Sequence, residues 1–154
     1  MYRRILVALD HSTADESLLP HVSELARLTG AELVLLHVAT GWSTQWNNQL
    51  NLDQSREMRE DRLYLEGIAD HLRDQGLSVR VLQGQGEPSR EILRRAASEE
   101  CDLIAMTTHG HRFLYDFFMG STIDRVRHQS EIPILVVRAE SLKRKAEGGT
   151  ETTP

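Results

Sequence analysis

Apolar residues along this chain fall into short runs, separated by longer stretches in which they recur every third or fourth position. The runs Ile5-Leu6-Val7-Ala8-Leu9, Leu33 to Val38, Leu103 to Met106 and Ile134 to Val137 are strand-sized and do not alternate with polar residues as a half-exposed sheet would. Such runs suit strands covered on both faces in a parallel sheet. Val79-Arg80-Val81-Leu82 is less apolar and suits a strand nearer an edge. Between the runs, Leu18, Val22, Leu25 and Ala26 repeat at helical spacing before Gly30, which is placed to close a first helix. Met58, Leu65, Ile68, Ala69 and Leu72 define a longer second helix closed by Gly76. Ile92, Leu93, Ala96 and Ala97 define a third, opening near Pro88, a residue suited to the first helical turn. A fourth is expected after Gly120, where Ser121 and Asp124 resemble a capping box with Asp in place of Glu. The pattern predicts β-α-β-α-β-α-β-α-β.

Two segments fall outside this alternation. Gly41 to Asp53 holds both tryptophans, Trp42 and Trp46, among polar residues, and reads as a surface loop. Its tryptophans either cover a ligand or pack on the domain or a partner chain. From Glu140 onward the residues are mostly Lys, Glu, Gly and Thr with little to bury, which predicts a disordered tail over 140–154 behind one domain over 1–139.

Composition narrows the picture further. With 154 residues, 40% of them hydrophobic, the chain can bury one substantial core. A net charge of -5 argues against a nucleic-acid-binding surface. No apolar run approaches the ~20 residues of a membrane span, and Tyr2-Arg3-Arg4 leads straight into a strand without a signal-peptide pattern, so a cytoplasmic location is expected. The single cysteine, Cys101, heads an apolar run and is expected to be an inert buried thiol.

Candidate chemistry lies just after the strands, because an open parallel sheet binds ligands beyond the carboxyl ends of its strands, where strand order reverses. Asp10 is the acid at the end of the first core run. Its carboxylate either ligates a magnesium ion bridging phosphates or receives a ribose hydroxyl; as a cap for the first helix it would duplicate Ser12 and Thr13. After the fourth strand, Met106-Thr107-Thr108-His109-Gly110 is followed by nine residues and then Gly120-Ser121-Thr122. Two glycines suit close backbone approach to a ligand, and a helix opening at Ser121 would offer unpaired N–H groups to an anion.

Together these residues resemble the universal stress protein family over positions 2 to 138. The resemblance rests on Asp10-His11-Ser12, Leu35-Leu36-His37-Val38, Gly86-Glu87-Pro88, Asp102-Leu103-Ile104, the glycine loop and Ile132-Pro133-Ile134-Leu135-Val136-Val137. It implies a three-layer α/β fold around an open parallel five-stranded sheet, Rossmann-like and of the adenine nucleotide alpha hydrolase type, with strand order 3-2-1-4-5. ATP-binding members carry Gly, two residues, Gly, nine residues, then Gly-Ser or Gly-Thr. Gly110, the nine-residue spacer, Gly120 and Ser121 match, whereas Thr107 stands in place of the first glycine.

By this resemblance the ligand is ATP or AMP, with magnesium possible at Asp10. Ala8, Leu9 and Asp10 would line the ribose and metal side, and Val38 would meet adenine through its backbone. Met106, Thr107, His109 and Gly110 would flank ribose and phosphates, and Gly120, Ser121 and Thr122 would hold the phosphates. The implied role is a nucleotide-dependent stress-response regulator or chaperone-like partner, at most a slow ATPase. The alternative is a nucleotide-free dimeric interaction module. Homodimers are implied, through Ile134 to Val137 or through the apolar patch from Phe113 to Met119, which otherwise packs on the sheet. A nucleotidylyltransferase reading rests on Thr108-His109-Gly110-His111 and a loose match at Ser121 to Arg125. It fails on placement: both segments follow the fourth strand, whereas in those enzymes the first signature follows strand one.

Overall fold

The computed structural model describes the backbone of residues 1–40, 48–108 and 117–139, with side chains except at 48–54 and 117–120. Nine elements alternate: β1 (Arg4–Ala8), α1 (Asp15–Thr29), β2 (Glu32–Ala39), α2 (Asn48–Asp74), β3 (Val79–Gln85), α3 (Pro88–Ser98), β4 (Leu103–Thr107), α4 (Phe117–Gln129) and β5 (Ile134–Val137). The strands form one sheet in the order β3-β2-β1-β4-β5, every pair parallel. The less apolar β3 lies at an edge, as its composition predicts.

The alternation along β1 divides the core. Ile5 and Val7 join Leu33, Leu35, Leu103 and Ala105 beneath α1 and α2, packed on Leu18, Val22, Leu65 and Leu72. Leu6 joins Val34, Leu36, Ile104 and Met106 on the opposite face, packed on Ile92 and Ala96 of α3 and Val126 of α4. Both faces are therefore covered, which explains why the strands read as continuous apolar runs.

Chain punctuation follows local chemistry. Gly30 closes α1 at φ 72°, donating its N–H to Ala26 O at 2.8 Å. Glu87 caps α3: its carboxylate accepts from the N–H of Ser89 at 3.2 Å and of Arg90 at 2.9 Å, with Pro88 opening the helix. Partial burial works against the Glu87 charge, but the Ser89 hydroxyl, these N–H groups and Arg125 hold its carboxyl below the usual range.

Two sequence expectations are corrected. The loop expected from Gly41 to Asp53 is helical from Asn48, where α2 begins; Trp42 and Trp46 lie outside the described residues. The fourth helix begins at Phe117, not after Gly120, so Ser121 is not an N-cap and the capping box with Asp124 is absent. A glycine inside a helix costs only about 1 kcal/mol, which is too little to set a boundary by itself.

Cys101 is buried and free, and burial pushes its thiol up to about 11. Iodoacetamide at neutral pH should leave the folded protein unlabelled while labelling the urea-unfolded chain fully; rapid labelling of the folded form would contradict this.

Candidate functional site

β1 and β4 are neighbours, yet their chains leave in opposite directions. From β1 the chain turns to α1 on one face, and from β4 it continues to α4 on the other. The carboxyl ends of these two strands thus border a crevice at the switch point of the sheet. The register Val7↔Ala105 brings Ala8 level with Met106, and Val38 lies on the adjacent β2 beyond the pair Ala8↔Leu36.

The turn leaving β1 is held by a carboxylate that the sequence reading did not single out. Asp15, buried at the start of α1, accepts the backbone N–H groups of Asp10 and His11 at 3.1 Å each. It also accepts the Tyr64 hydroxyl of α2 at 2.7 Å. Burial and the nearby Asp10 push the Asp15 carboxyl up to about 7, against the hydrogen bonds from Tyr64 and the Asp10 N–H. Burial and the same carboxylate keep the Tyr64 phenol protonated well above its usual range. Asp10 does not cap α1. Its carboxylate accepts the Ser12 hydroxyl, and the residue is only half-buried.

A second buried carboxylate of α2, Asp61, stands between two imidazoles. Its Oδ1 is 2.6 Å from His11 Nδ1 and its Oδ2 is 3.3 Å from His37 Nε2. The other ring nitrogen of His37 lies 2.9 Å from the carbonyl oxygen of Leu9. His11 adopts φ 59°, a left-handed backbone that costs a non-glycine residue free energy, and its ring stacks on Tyr64 with centroids 4.0 Å apart. α2 thus supports the turn from below through Asp61 and Tyr64, three residues apart on one helix face.

Thr107 is the last residue of β4, buried at 2% exposure and paired with Val137. Its backbone is ordinary strand, without the positive φ that would demand glycine, so a β-branched residue fits there without strain. Ser121 is half-buried and Thr122 buried, both inside α4. Gly120 falls in the first turn of that helix, so the unpaired N–H groups belong to residues ahead of it rather than to Ser121 and Thr122. His109, Gly110 and residues 113–116 of the aromatic patch lie outside the described residues.

The model of the universal stress protein family matches residues 1–138. The chain belongs to the universal stress protein family. A universal stress protein of Methanocaldococcus jannaschii is 28% identical over 158 aligned residues, covering 92% of this chain and 98% of the relative. The solved structure of that protein superposes with a TM-score of 0.80 at 31% identity, covering 92% of this chain and 99% of the other. Two more distant structures share the fold. One is a universal stress protein in complex with cAMP, at TM-score 0.68 and 16% identity, covering 90% of this chain and 98% of the other. The other, from Archaeoglobus fulgidus, is in complex with dAMP, at TM-score 0.65 and 19% identity, covering 88% of this chain and 98% of the other.

Within this universal stress protein six of the motif residues share one end of the sheet. Ala8, Leu9, Asp10, Val38, Met106 and Thr107 are gathered at the carboxyl ends of β1, β2 and β4. The support beneath them, Asp15, Asp61, Tyr64 and the ring of His37, was missed. A signal was available: Asp61 lies four residues before Leu65 on the buried stripe of α2, where an acid needs a polar partner.

Proposed function

We propose that this universal stress protein binds an adenine nucleotide, ATP or AMP, at the crevice between β1 and β4 and works as a nucleotide-dependent regulator or chaperone-like partner in the stress response. The observation that carries this reading is the half-buried Asp10 carboxylate at the switch point, on a turn fixed by Asp15. The complexes of distant relatives with cAMP and dAMP support it. Ala8, Leu9 and Asp10 would face ribose, Val38 adenine, Met106, Thr107, His109 and Gly110 the ribose and phosphates, and Gly120, Ser121 and Thr122 the phosphates.

Magnesium suits this arrangement as a companion of the nucleotide. Among the described residues no group of three or more His, Cys, Asp or Glu could hold a metal ion alone. Magnesium ordinarily needs only one or two carboxylates when phosphates and water complete its shell. Asp10 could supply one carboxylate, and the ion would neutralise phosphate charge there. Hydrolysis would be slow, because the oxygens of Asp15 are taken up by the Asp10 and His11 N–H groups and by Tyr64.

Calorimetry and thermal denaturation with ATP and AMP, with and without magnesium, test the proposal. Nucleotide at a hundredfold excess over its dissociation constant should stabilise the fold by about 2.7 kcal/mol. Replacing Gly120 by a bulkier residue should abolish binding. Absence of both heat and thermal shift at about millimolar nucleotide would sink it. The second reading, a nucleotide-free dimeric module, is favoured by β5, an edge strand on which Val136 is 40% exposed. Sedimentation of the same samples would show a dimer without nucleotide in that case.

A further inference from the structure

We infer that Asp61 is a positioning residue for the nucleotide site, acting through His37 and His11 to fix the backbone on which a nucleotide would rest. The inference builds on the proposed nucleotide site. Asp61 itself is buried on α2, and its two ion-pair contacts are with His11 and His37 rather than with residues assigned to ligand. Its reach is through the two rings. His37 immediately precedes Val38, and its Nδ1 stands 2.9 Å from the Leu9 carbonyl. His11 immediately follows Asp10. One carboxylate therefore bears on the backbone at Leu9 and Asp10, in the turn after β1, and at Val38 on β2.

Hydrogen-bonding capacity makes this arrangement specific. A carbonyl oxygen only accepts, so His37 Nδ1 must carry a hydrogen to satisfy Leu9. That leaves Nε2, 3.3 Å from Asp61 Oδ2, and a lone pair there would face a carboxylate oxygen with nothing between them. A hydrogen must lie between these atoms, whether it belongs formally to the ring or to the carboxyl group. On the other side, His11 Nδ1 donates to Oδ1 at 2.6 Å. Both oxygens of Asp61 are engaged, each with a ring from a different strand end. The cost of the left-handed His11 backbone is a further sign that the turn is held rather than relaxed.

The chemistry also says which substitutions should be tolerated. In Asp61→Asn the amide oxygen can accept from His11 Nδ1 while the amide nitrogen donates to His37 Nε2, so both rings keep their places. In Asp61→Ala both rings lose their contact with α2 at position 61, and His37 is held only by its Leu9 contact, from which it can turn. If the position of the rings matters, Asp61→Asn should bind nucleotide nearly as the natural protein does, whereas Asp61→Ala should not. If the negative charge alone mattered, both would fail alike.

The experiment is calorimetric titration of the natural protein, Asp61→Asn, Asp61→Ala and His37→Leu with ATP and magnesium, with folding checked by thermal denaturation. In parallel, ring nitrogen shifts of His37 are recorded by nuclear magnetic resonance without nucleotide. Asp61→Ala and His37→Leu should each weaken binding at least about tenfold, the scale of small misplacements in a site, while Asp61→Asn stays within about threefold. His37 should hold a fixed Nδ1–H in the natural protein and in Asp61→Asn, and average between tautomers in Asp61→Ala. Natural affinity in a folded Asp61→Ala, or equal losses in Asp61→Asn and Asp61→Ala, would overturn the inference. Should Asp61→Ala not fold, His37→Leu decides: natural affinity there overturns it as well. If the natural protein binds no nucleotide, the proposed function fails and the positioning role fails with it, whereas the His37 resonances still report the ring arrangement separately.

Discussion

Asp15→Ala should lower unfolding free energy by about 3 kcal/mol, because three donors lose their acceptor at once and a buried donor left unpaired costs about 1 to 3 kcal/mol. The three are the backbone N–H groups of Asp10 and His11 and the hydroxyl of Tyr64. Loss of this acceptor also frees the turn that carries Asp10, so nucleotide affinity should fall together with stability. Urea denaturation followed by circular dichroism measures the first effect. A loss below about 1 kcal/mol, the net worth of a single hydrogen bond, would mean that water replaces the carboxylate without cost.

The same residue sets a pH dependence whose sign is the reverse of the usual acid. Its carboxyl sits at about 7 in the folded protein, against an ordinary 3.8. The folded state therefore holds this proton more tightly than the unfolded state, and the contribution is fully present below the ordinary value. It is lost as pH rises toward 7, with a slope approaching about 1.4 kcal/mol per pH unit. Above that range the contribution is constant. Asp15→Asn removes the titration while keeping an oxygen acceptor. The stability difference between natural protein and Asp15→Asn should therefore fall with rising pH between about 4 and 7. A difference that is flat or rises over this interval would show that the three donors outweigh burial.

Gly84→Val should be nearly as damaging, by about 2 to 3 kcal/mol, for reasons of space alone. A Cβ at Gly84 would stand 2.5 Å from Glu91 Cγ. Glu91 cannot easily move aside, since Arg94 Nε donates to it at 2.8 Å and Arg95 Nε at 3.0 Å. The Arg94 contact is the larger of the influences that hold the Glu91 carboxyl below its usual range. Gly84 also pairs with Val38 across β2 and β3, so the strain would pass to the proposed adenine side. Gly67→Ala is the matched control. Nothing lies within 4 Å of a Cβ there, and the position is helical, so the change should stabilise by about 0.5 to 1 kcal/mol. Equal effects of the two substitutions on the urea midpoint would contradict the steric argument.

The strands were legible because a sheet covered on both faces leaves an unmistakable mark: Ile5 to Leu9 and Leu103 to Met106 have no solvent-facing residue to break the run. The order of the strands was not written in those runs. It came with the family resemblance, and the observed β3-β2-β1-β4-β5 agrees with it. Boundaries were harder. Gly120 was read as the threshold of a helix, yet α4 starts at Phe117, because punctuation by a single glycine is a weak force against continuing helical hydrogen bonds. The polar support of the turn was harder still. Asp15 looks in the sequence like an ordinary helix-surface acid, and although Asp61 sits on the buried stripe of α2, only the tertiary meeting of α2 with β2 and the β1 turn shows which partners it has.

The left-handed turn at His11 ties the order of events in the chain to its geometry. Asp15, four residues on, is its near support, whereas Asp61 and Tyr64 are 50 and 53 residues further along and reach it once α2 is in place. The docking of α2 therefore both completes one apolar face of the sheet and adds the long-range contacts at the mouth of the crevice. A local opening of α2 would loosen the His11 turn and uncover the Leu65 and Leu72 side of the core together. The proposed recognition surface is thereby tied to the stability of α2.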